Sequence, residues 1–125
     1  MIEKMISKVN QYLPLKICGV EWDTAQFLLN GPGWNFASLC AWRITFKNHI
    51  VLGSYDPDSE QKIAKLKNLE IIEIIYQENL LKVDPVFILS NEQRIEFFST
   101  DTFEPWTFGI ENVFFYNATR SEPQL

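Results

Sequence analysis

The sequence predicts a single α+β domain built on a mainly antiparallel sheet of about six to eight strands, with one helix at the N-terminus and one inside the chain. Three observations support this prediction. Residues 34–46 alternate between large apolar and other side chains, two segments have the spacing of amphipathic helices, and turn signals separate several short apolar runs. The 125 residues suit one domain, which we expect over residues 1–116, followed by a flexible tail at 117–125.

The N-terminal segment has the spacing of an amphipathic helix. Its apolar side chains recur on one face, at Ile2, Met5, Ile6, Val9, Tyr12 and Leu13. Pro14 follows, and proline ends helices because it lacks the backbone N–H. Residues 15–22 and 25–29 are then predicted as two short strands, and residues 30–33, Asn-Gly-Pro-Gly, predict a tight turn.

Residues 34–46 give the strongest strand prediction in the chain. Large apolar side chains occupy most of the even positions, namely Trp34, Phe36, Cys40, Trp42, Ile44 and Phe46. A period of two over this length predicts one long strand with a heavily buried face. The chain has ten Phe and four Trp, and such side chains bury a large area each, so we expect an aromatic core.

The rest of the chain alternates strands with one helix. Residues 49–54 are predicted to pair with the long strand. A helix is predicted over 56–69, with Pro57 in its first turn and a capping box formed by Asp58 and Gln61. Further strands are predicted at 71–76, 80–83, 86–89, 94–99, 106–108 and 113–116, with a hairpin turn at 90–93.

Charge is distributed unevenly along the chain. The formal net charge is −5, with eight basic and six acidic residues in 1–68 but three basic and ten acidic residues in 69–125. This balance argues against direct binding of nucleic acid, whose phosphates attract basic surfaces. An acidic half instead favours a basic protein partner, because complementary potentials speed association and select partners.

The cysteines and the N-terminus indicate the compartment. Cys18 and Cys40 lack the spacing of a disulfide framework, which favours two reduced thiols. The N-terminal segment lacks the uninterrupted apolar stretch of a signal peptide, and no segment has the length to span a bilayer. We therefore expect a cytoplasmic protein with no membrane partner.

No set of residues in the sequence indicates a catalytic site, a metal site or a cofactor site. His49 is the single histidine, and Cys40 lies on the bulky face of a strand, where an inert core thiol is expected. Asp56, Asp58 and Glu60 resemble the start of a calcium loop but lack its glycine and its distal glutamate. We therefore expect that the protein is not an enzyme. A hydrolase that uses dispersed carboxylates ranks third, after the two hypotheses given at the end of this section.

Acidic and aromatic residues are mixed in the second half of the chain. The candidate partner-binding residues are Glu92, Glu96, Phe98, Asp101, Phe103, Glu104 and Trp106. An aromatic anchor beside carboxylates suits an interface with a cationic protein surface. The alternative is that Phe98 and Trp106 belong to the core and the acids only flank them.

The order of features resembles a group of small bacterial proteins. The shared features are a strand ending in Trp42-Arg43, an Asp-led helix over 56–69, a hairpin of residues 86–89 and 94–98, and a late Trp106. Several members of this group look like immunity proteins encoded beside polymorphic or contact-dependent toxins. The resemblance covers roughly residues 15–108 and implies a cytoplasmic protein that binds and blocks one toxin domain; it assigns no site residue.

These observations lead to two hypotheses of different classes. The first is a non-catalytic immunity protein that neutralises a cognate toxin domain, expected to be a basic nuclease because nucleases hold phosphates. The second is a small-ligand-binding or structural domain in which Trp34 and Trp42 of the aromatic strand line a pocket.

Overall fold

The computed structural model describes residues 2–100 and 105–118. In chain order the elements are α1 (Ile2–Val9), β1 (Leu15–Lys16), β2 (Gly19–Trp22), β3 (Phe27–Gly31), β4 (Trp34–Ser38), β5 (Ala41–Phe46), β6 (His49–Gly53), α2 (Ser59–Lys62) with a 3₁₀ turn (Ile63–Leu66), β7 (Glu70–Tyr76), β8 (Pro85–Leu89), β9 (Arg94–Phe98), β10 (Trp106–Ile110) and β11 (Phe114–Asn117).

The strands form two antiparallel sheets. A six-stranded sheet has the order β1-β7-β8-β9-β5-β6, and a five-stranded sheet has the order β11-β10-β4-β3-β2. Mostly antiparallel sheets with two helices agree broadly with the predicted α+β class. The described residues contain eleven strands, however, which exceeds the prediction of six to eight, and α1 is short, at eight residues.

The predicted strand over 34–46 is two strands that belong to different sheets. β4 ends at Ser38 and β5 begins at Ala41, so the chain passes from the five-stranded to the six-stranded sheet through Leu39 and Cys40. The Leu39 side chain is exposed, and its N–H donates to the carbonyl of Pro105 at 2.8 Å. The even-numbered residues from Trp34 to Ile44 face inward on both sides of this crossing.

Aromatic side chains from the two sheets meet between them, which confirms the predicted aromatic core. The ring of Phe36 on β4 lies 4.9 Å from that of Phe87 and 4.8 Å from that of Phe97, both in the opposite sheet. Trp42 on β5 packs against Phe27 of the opposite sheet, with ring centres 5.3 Å apart. The two sheets therefore form a sandwich whose interior is largely aromatic.

The predicted internal helix is shorter than expected and is capped differently. It consists of α2 and the 3₁₀ turn, and the capping box is wrong, because Asp58 has a φ of +61° and makes no side-chain capping bond. Asp56 instead accepts a hydrogen bond from the N–H of Gly53 at 2.8 Å. The indole N–H of Trp22 holds this segment to the five-stranded sheet by donating to the carbonyl of Ser54 at 3.1 Å.

Several boundaries differ from the predictions. The strand predicted over 15–22 is two strands, β1 and β2, which belong to different sheets. The N-terminal helix ends at Val9, before the predicted stop at Pro14, because the next N–H groups close tighter turns: that of Tyr12 donates to the carbonyl of Val9 at 2.8 Å. Residues 80–83 form no strand and belong to a loop. The last strand includes Asn117, the first residue of the predicted tail, and the buried Ala118 donates its N–H to the carbonyl of Trp106 at 2.8 Å.

Candidate functional site

Four of the predicted contact residues, Glu92, Glu96, Phe98 and Trp106, lie within the described ranges, and these four do not form one surface. Glu92 lies at the tip of the β8–β9 hairpin, where it is exposed and has a φ of +70°. Asp101, Phe103 and Glu104 lie outside the described residues.

Glu96 and Phe98 lie on β9, and both contact the same arginine. The carboxylate of Glu96 accepts two hydrogen bonds from Arg43 on the neighbouring strand β5, each at 3.2 Å. The guanidinium carbon of Arg43 also lies 4.9 Å from the centre of the Phe98 ring. The charge of Glu96 is therefore already paired within the protein, and the Phe98 ring is partly covered.

Trp106 is a core residue, so its prediction as a contact residue is wrong and the alternative applies. Its side chain is 1% exposed, and its ring packs on Phe36 and Tyr116 with centres 5.8 and 5.3 Å away. Trp106 pairs with Ser38 across β10 and β4, in a row whose side chains point between the sheets. This register turns the indole away from solvent.

Asp84 is a buried acid that no sequence pattern indicated. One carboxylate oxygen accepts a hydrogen bond from the indole N–H of Trp106 at 3.2 Å, and the other accepts one from the backbone N–H of Ser99 at 2.6 Å. The hydroxyl of Ser99 also donates to this carboxylate in a short contact. Asp84 thus joins the end of β9 to the start of β10, which belongs to the other sheet, and this arrangement is structural.

Cys40 lies beside this network and is buried, as the core-thiol prediction expected. Its sulfur is 3.6 Å from the hydroxyl oxygen of Ser99 and 3.7 Å from the carbonyl oxygen of Pro105. His49 is exposed at the start of β6. Among residues 2–100 and 105–118, no group of three His, Cys, Asp or Glu side chains has the geometry to hold a metal ion.

The loop between β7 and β8, residues 77–84, is held in shape by its own hydrogen bonds; we call it the leucine loop. The carboxylate of Glu78 accepts hydrogen bonds from the N–H of Leu80 at 2.8 Å and of Leu81 at 3.1 Å. These two bonds, the Leu80 bond first, lower the pKa of Glu78 below its ordinary value. The ends of the loop are joined by the Gln77 N–H, which donates to the Asp84 carbonyl at 2.9 Å.

The leucine loop presents two apolar side chains to solvent. Leu80 is 95% exposed and Leu81 is 62% exposed. Beside them the ammonium group of Lys82 lies 5.1 Å from the centre of the Tyr76 ring. Two adjacent leucines on a closed, hydrogen-bonded loop form an apolar tip, which is the kind of exposed feature that marks interaction sites.

Sequence reasoning missed this loop because Leu80, Leu81 and Val83 resemble a short apolar strand. One signal was present. Glu78 precedes the leucines by two and three residues, the spacing at which an acidic side chain can accept from the backbone N–H groups that follow it, and such bonds favour turns over strands.

A concave region, which we call the groove, lies at one end of the five-stranded sheet and has a volume of about 660 Å³. Its lining includes Trp34, Asn35, Gly109, Glu111, Asn112 and Phe115. Trp34 contributes an edge while remaining mostly buried, and its indole N–H donates to the carbonyl of Lys16 at 2.9 Å. Trp42 is buried between the sheets and does not line this groove, so the aromatic strand does not form a pocket as a whole.

No helix within the described ranges is both long enough and apolar enough to cross a membrane. Comparisons with protein-family models, with curated proteins and with solved structures gave no match for this chain.

Proposed function

We propose that this chain is a non-catalytic protein-binding domain that neutralises a bacterial toxin domain, and that its leucine loop is the central contact. The observation that carries the proposal is the exposure of Leu80 and Leu81 on a loop whose backbone Glu78 already holds in place. Apolar side chains at the centre of an interface supply binding energy when a partner pocket excludes water from them.

The leucine loop is held in shape by its own hydrogen bonds, and this supports a role in binding. A loop that is fixed before binding loses little conformational freedom on association, so more of the contact energy appears as affinity. Hydrogen bonds from Leu80 and Leu81 to the Glu78 carboxylate and from Gln77 to the Asp84 carbonyl fix both the tip and the base of the loop. These bonds hold the backbone that carries the two leucines, as a protruding inhibitory loop requires.

The charge of the second half of the chain favours a basic partner. This half carries ten acidic and three basic residues, and within the leucine loop Glu78 is ionised at neutral pH, as carboxyl groups ordinarily are. Glu92 adds an exposed carboxylate at the tip of the β8–β9 hairpin, at the opposite end of β8 from the leucine loop. A nuclease-type toxin is basic where it binds phosphates, so its surface would attract these acids. Glu96 is not assigned to this contact, because Arg43 already pairs with it.

The test is co-expression of the chain with the toxin domain encoded beside it, together with a binding measurement on the two purified proteins. We expect the wild-type chain to restore growth. The double variant Leu80→Asp/Leu81→Asp should lose about 100-fold in affinity or more, because two central anchors are replaced by charges. Leu39→Asp is the matched control, since Leu39 is 67% exposed and lies outside the loop, and it should bind like the wild type.

Two results would contradict the proposal. Toxicity that persists with the wild-type chain would reject toxin neutralisation. Equal protection by the wild type and by the double variant would show that the leucine loop is not the contact. Glu92→Lys adds a measurement of the charge argument: it should slow association with a basic toxin at low salt and have a smaller effect at high salt, because salt screens exposed charges.

A further inference from the structure

The outer face of the five-stranded sheet carries a row of uncharged side chains across all five strands. Strand pairing places the members of this row side by side in the order Phe115, Gly109, Asn35, Asn30 and Gly19. The adjacent outward row contains Asn117, Thr107, Ala37, Leu28 and, at its far end, Glu21. One face of the sheet is thus rich in amides and has its single charge at one edge.

Two glycines let the larger side chains of the first row lie low over the sheet. A Cβ atom at Gly109 would be 3.1 Å from a ring carbon of Phe115 and 2.9 Å from the amide oxygen of Asn35. A Cβ atom at Gly19 would be 2.6 Å from the amide oxygen of Asn30. The Phe115 ring and the amides of Asn35 and Asn30 therefore occupy space that a Cβ atom at Gly109 or Gly19 would fill.

Phe115 projects from this face although it is a large apolar residue. Its side chain is 65% exposed, and with Asn35 it borders the groove of about 660 Å³. The turn between β10 and β11 adds Glu111 and Asn112 to the rim of the groove. The groove therefore combines one exposed aromatic ring, two amides and one carboxylate.

These groups match the chemistry of a sugar. Each asparagine amide offers a donor and an acceptor, as does each sugar hydroxyl, while the face of a pyranose ring carries C–H groups that pack on an aromatic ring. No lysine or arginine is among the described residues that line the groove, so a phosphate group would lack a cation to pair with. An uncharged, hydroxyl-rich ligand fits this inventory better than an anion does.

We propose that this face binds a neutral oligosaccharide of pyranose rings, with one ring stacked on Phe115 and hydroxyl groups bonded to Asn35 and Asn30. Neighbouring strands lie about 4.8 Å apart, so Phe115 and Asn30, three strands apart, span about 15 Å, a length suited to about three linked rings. The site is separate from the leucine loop. It adjoins the Ile110 end of β10, whereas Asp84 at the base of the loop contacts the Trp106 end.

The test is calorimetric titration of the full chain with three neutral probes: cellohexaose, maltohexaose and chitohexaose. We expect at least one to bind with a Kd of about 1 mM or lower and to change the fluorescence of Trp34, which borders the groove. Phe115→Ala should weaken that binding at least about tenfold. Tyr55→Ala is the matched control, because Tyr55 is an exposed aromatic residue outside the groove, and it should bind like the wild type.

A second readout makes the result independent of variant folding. In amide NMR spectra of the wild-type chain, the bound probe should shift the signals of Gly109 and Asn35 and leave that of Leu80 unchanged. Absence of saturable binding by all three probes at about 10 mM, or equal affinity of the Phe115→Ala variant, would overturn the sugar site. Neither result tests toxin neutralisation, because the sugar site is separate from the leucine loop. For the same reason, the Leu80→Asp/Leu81→Asp variant is expected to keep its sugar affinity.

Discussion

Arg43 and Glu96 face each other across β5 and β9 and form a two-point pair. The Nε and Nη2 atoms of Arg43 each donate to a different carboxylate oxygen of Glu96, both at 3.2 Å. The Glu96 side chain is 15% exposed and that of Arg43 40% exposed, and the guanidinium also lies over the Phe98 ring. These three residues stabilise the outer face of the six-stranded sheet through cross-strand contacts, which occupy two of the predicted contact residues.

Reversing the charge at position 96 should therefore reduce stability. Glu96→Lys places a cation opposite Arg43, and we expect a loss of about 1 kcal/mol, kept small because water screens the partly exposed arginine. Urea unfolding followed by circular dichroism measures this loss. Glu73→Lys, at an exposed position of β7, is the control, with an expected change within about 0.5 kcal/mol. Equal unfolding free energies for the Glu96→Lys variant and the wild type would mean that the pair contributes nothing.

Truncation of Trp42 should be among the most damaging changes to the core. Its ring packs edge-on against Trp22 at 5.6 Å and against Phe27 at 5.3 Å. We expect Trp42→Ala to lower the free energy of unfolding by about 3–5 kcal/mol, as large core truncations do. Thermal and urea unfolding measure this loss. A well-folded variant with near wild-type stability would contradict the burial of Trp42.

Trp22 and Trp42 are in contact, but removal of the indole N–H should change the free energy of unfolding by different amounts at the two positions. Trp22 donates to the carbonyl of Ser54 and to the hydroxyl of Ser59, whereas the buried N–H of Trp42 has no hydrogen-bond partner among the described residues. Trp22→Phe should therefore cost about 1 kcal/mol more than Trp42→Phe. Unfolding curves of the two variants under one set of conditions give the comparison, and the reverse order would contradict the assigned bonds.

Removal of the Asp84 carboxylate should destabilise the fold without any role in binding. Asp84→Ala would leave the Ser99 N–H, the Ser99 hydroxyl and the Trp106 indole without their acceptor. Unsatisfied buried donors make the expected loss about 3 kcal/mol or more. Asp84→Asn should recover only part of it, because an amide has one acceptor oxygen and its NH₂ group would face a donor. Denaturant unfolding separates these cases, and a loss below that of exposed Glu73→Ala would contradict the network.

The shape of the leucine loop should depend on pH through Glu78. Its pKa in the folded protein lies below the ordinary value of 4.5, because the N–H groups of Leu80 and Leu81 donate to the carboxylate. The bonds are thus fully present above the ordinary value and are lost as the pH falls through the lowered pKa. Amide NMR should show the Leu80 and Leu81 signals moving together in this acidic range. In Glu78→Gln these signals should not titrate, and persistence of the titration would assign it to another group.

The alternation in residues 34–46 predicted correctly which side chains are buried, but it predicted one strand where there are two. Both outcomes have the same physical reason. A chain that crosses between two facing sheets must turn its buried side from one inner surface to the other, and here the alternation keeps its phase through the crossing. Ser38 and Trp42 both point inward, while Leu39 points outward. A period of two therefore fits one long strand and two successive strands equally well. The contacts that separate the alternatives, such as Trp106 beside Ser38, lie far away in sequence.

The candidate site was less predictable than the core for a related reason. Trp106 lies in an acidic stretch of the sequence, and only its pairing with β4 and its bond to Asp84 show that it is buried. Leu80 and Leu81 resemble core residues by composition, but their N–H groups bond to Glu78 in a turn instead of pairing in a strand, and their side chains are exposed. Local pattern gives the period of an element, whereas exposure depends on partners distant in sequence.

The pairing of β10 with β4 has a consequence for synthesis on the ribosome. β4 is complete at Ser38, but β10, which pairs with one edge of β4, is synthesised only when translation reaches Trp106–Ile110. Until then one edge of β4 is unpaired, and Phe36 lacks two of its ring partners, Trp106 and Phe108. An unpaired strand edge is open to pairing with other chains. A nascent chain stalled before residue 106 should therefore need a chaperone that the finished protein does not.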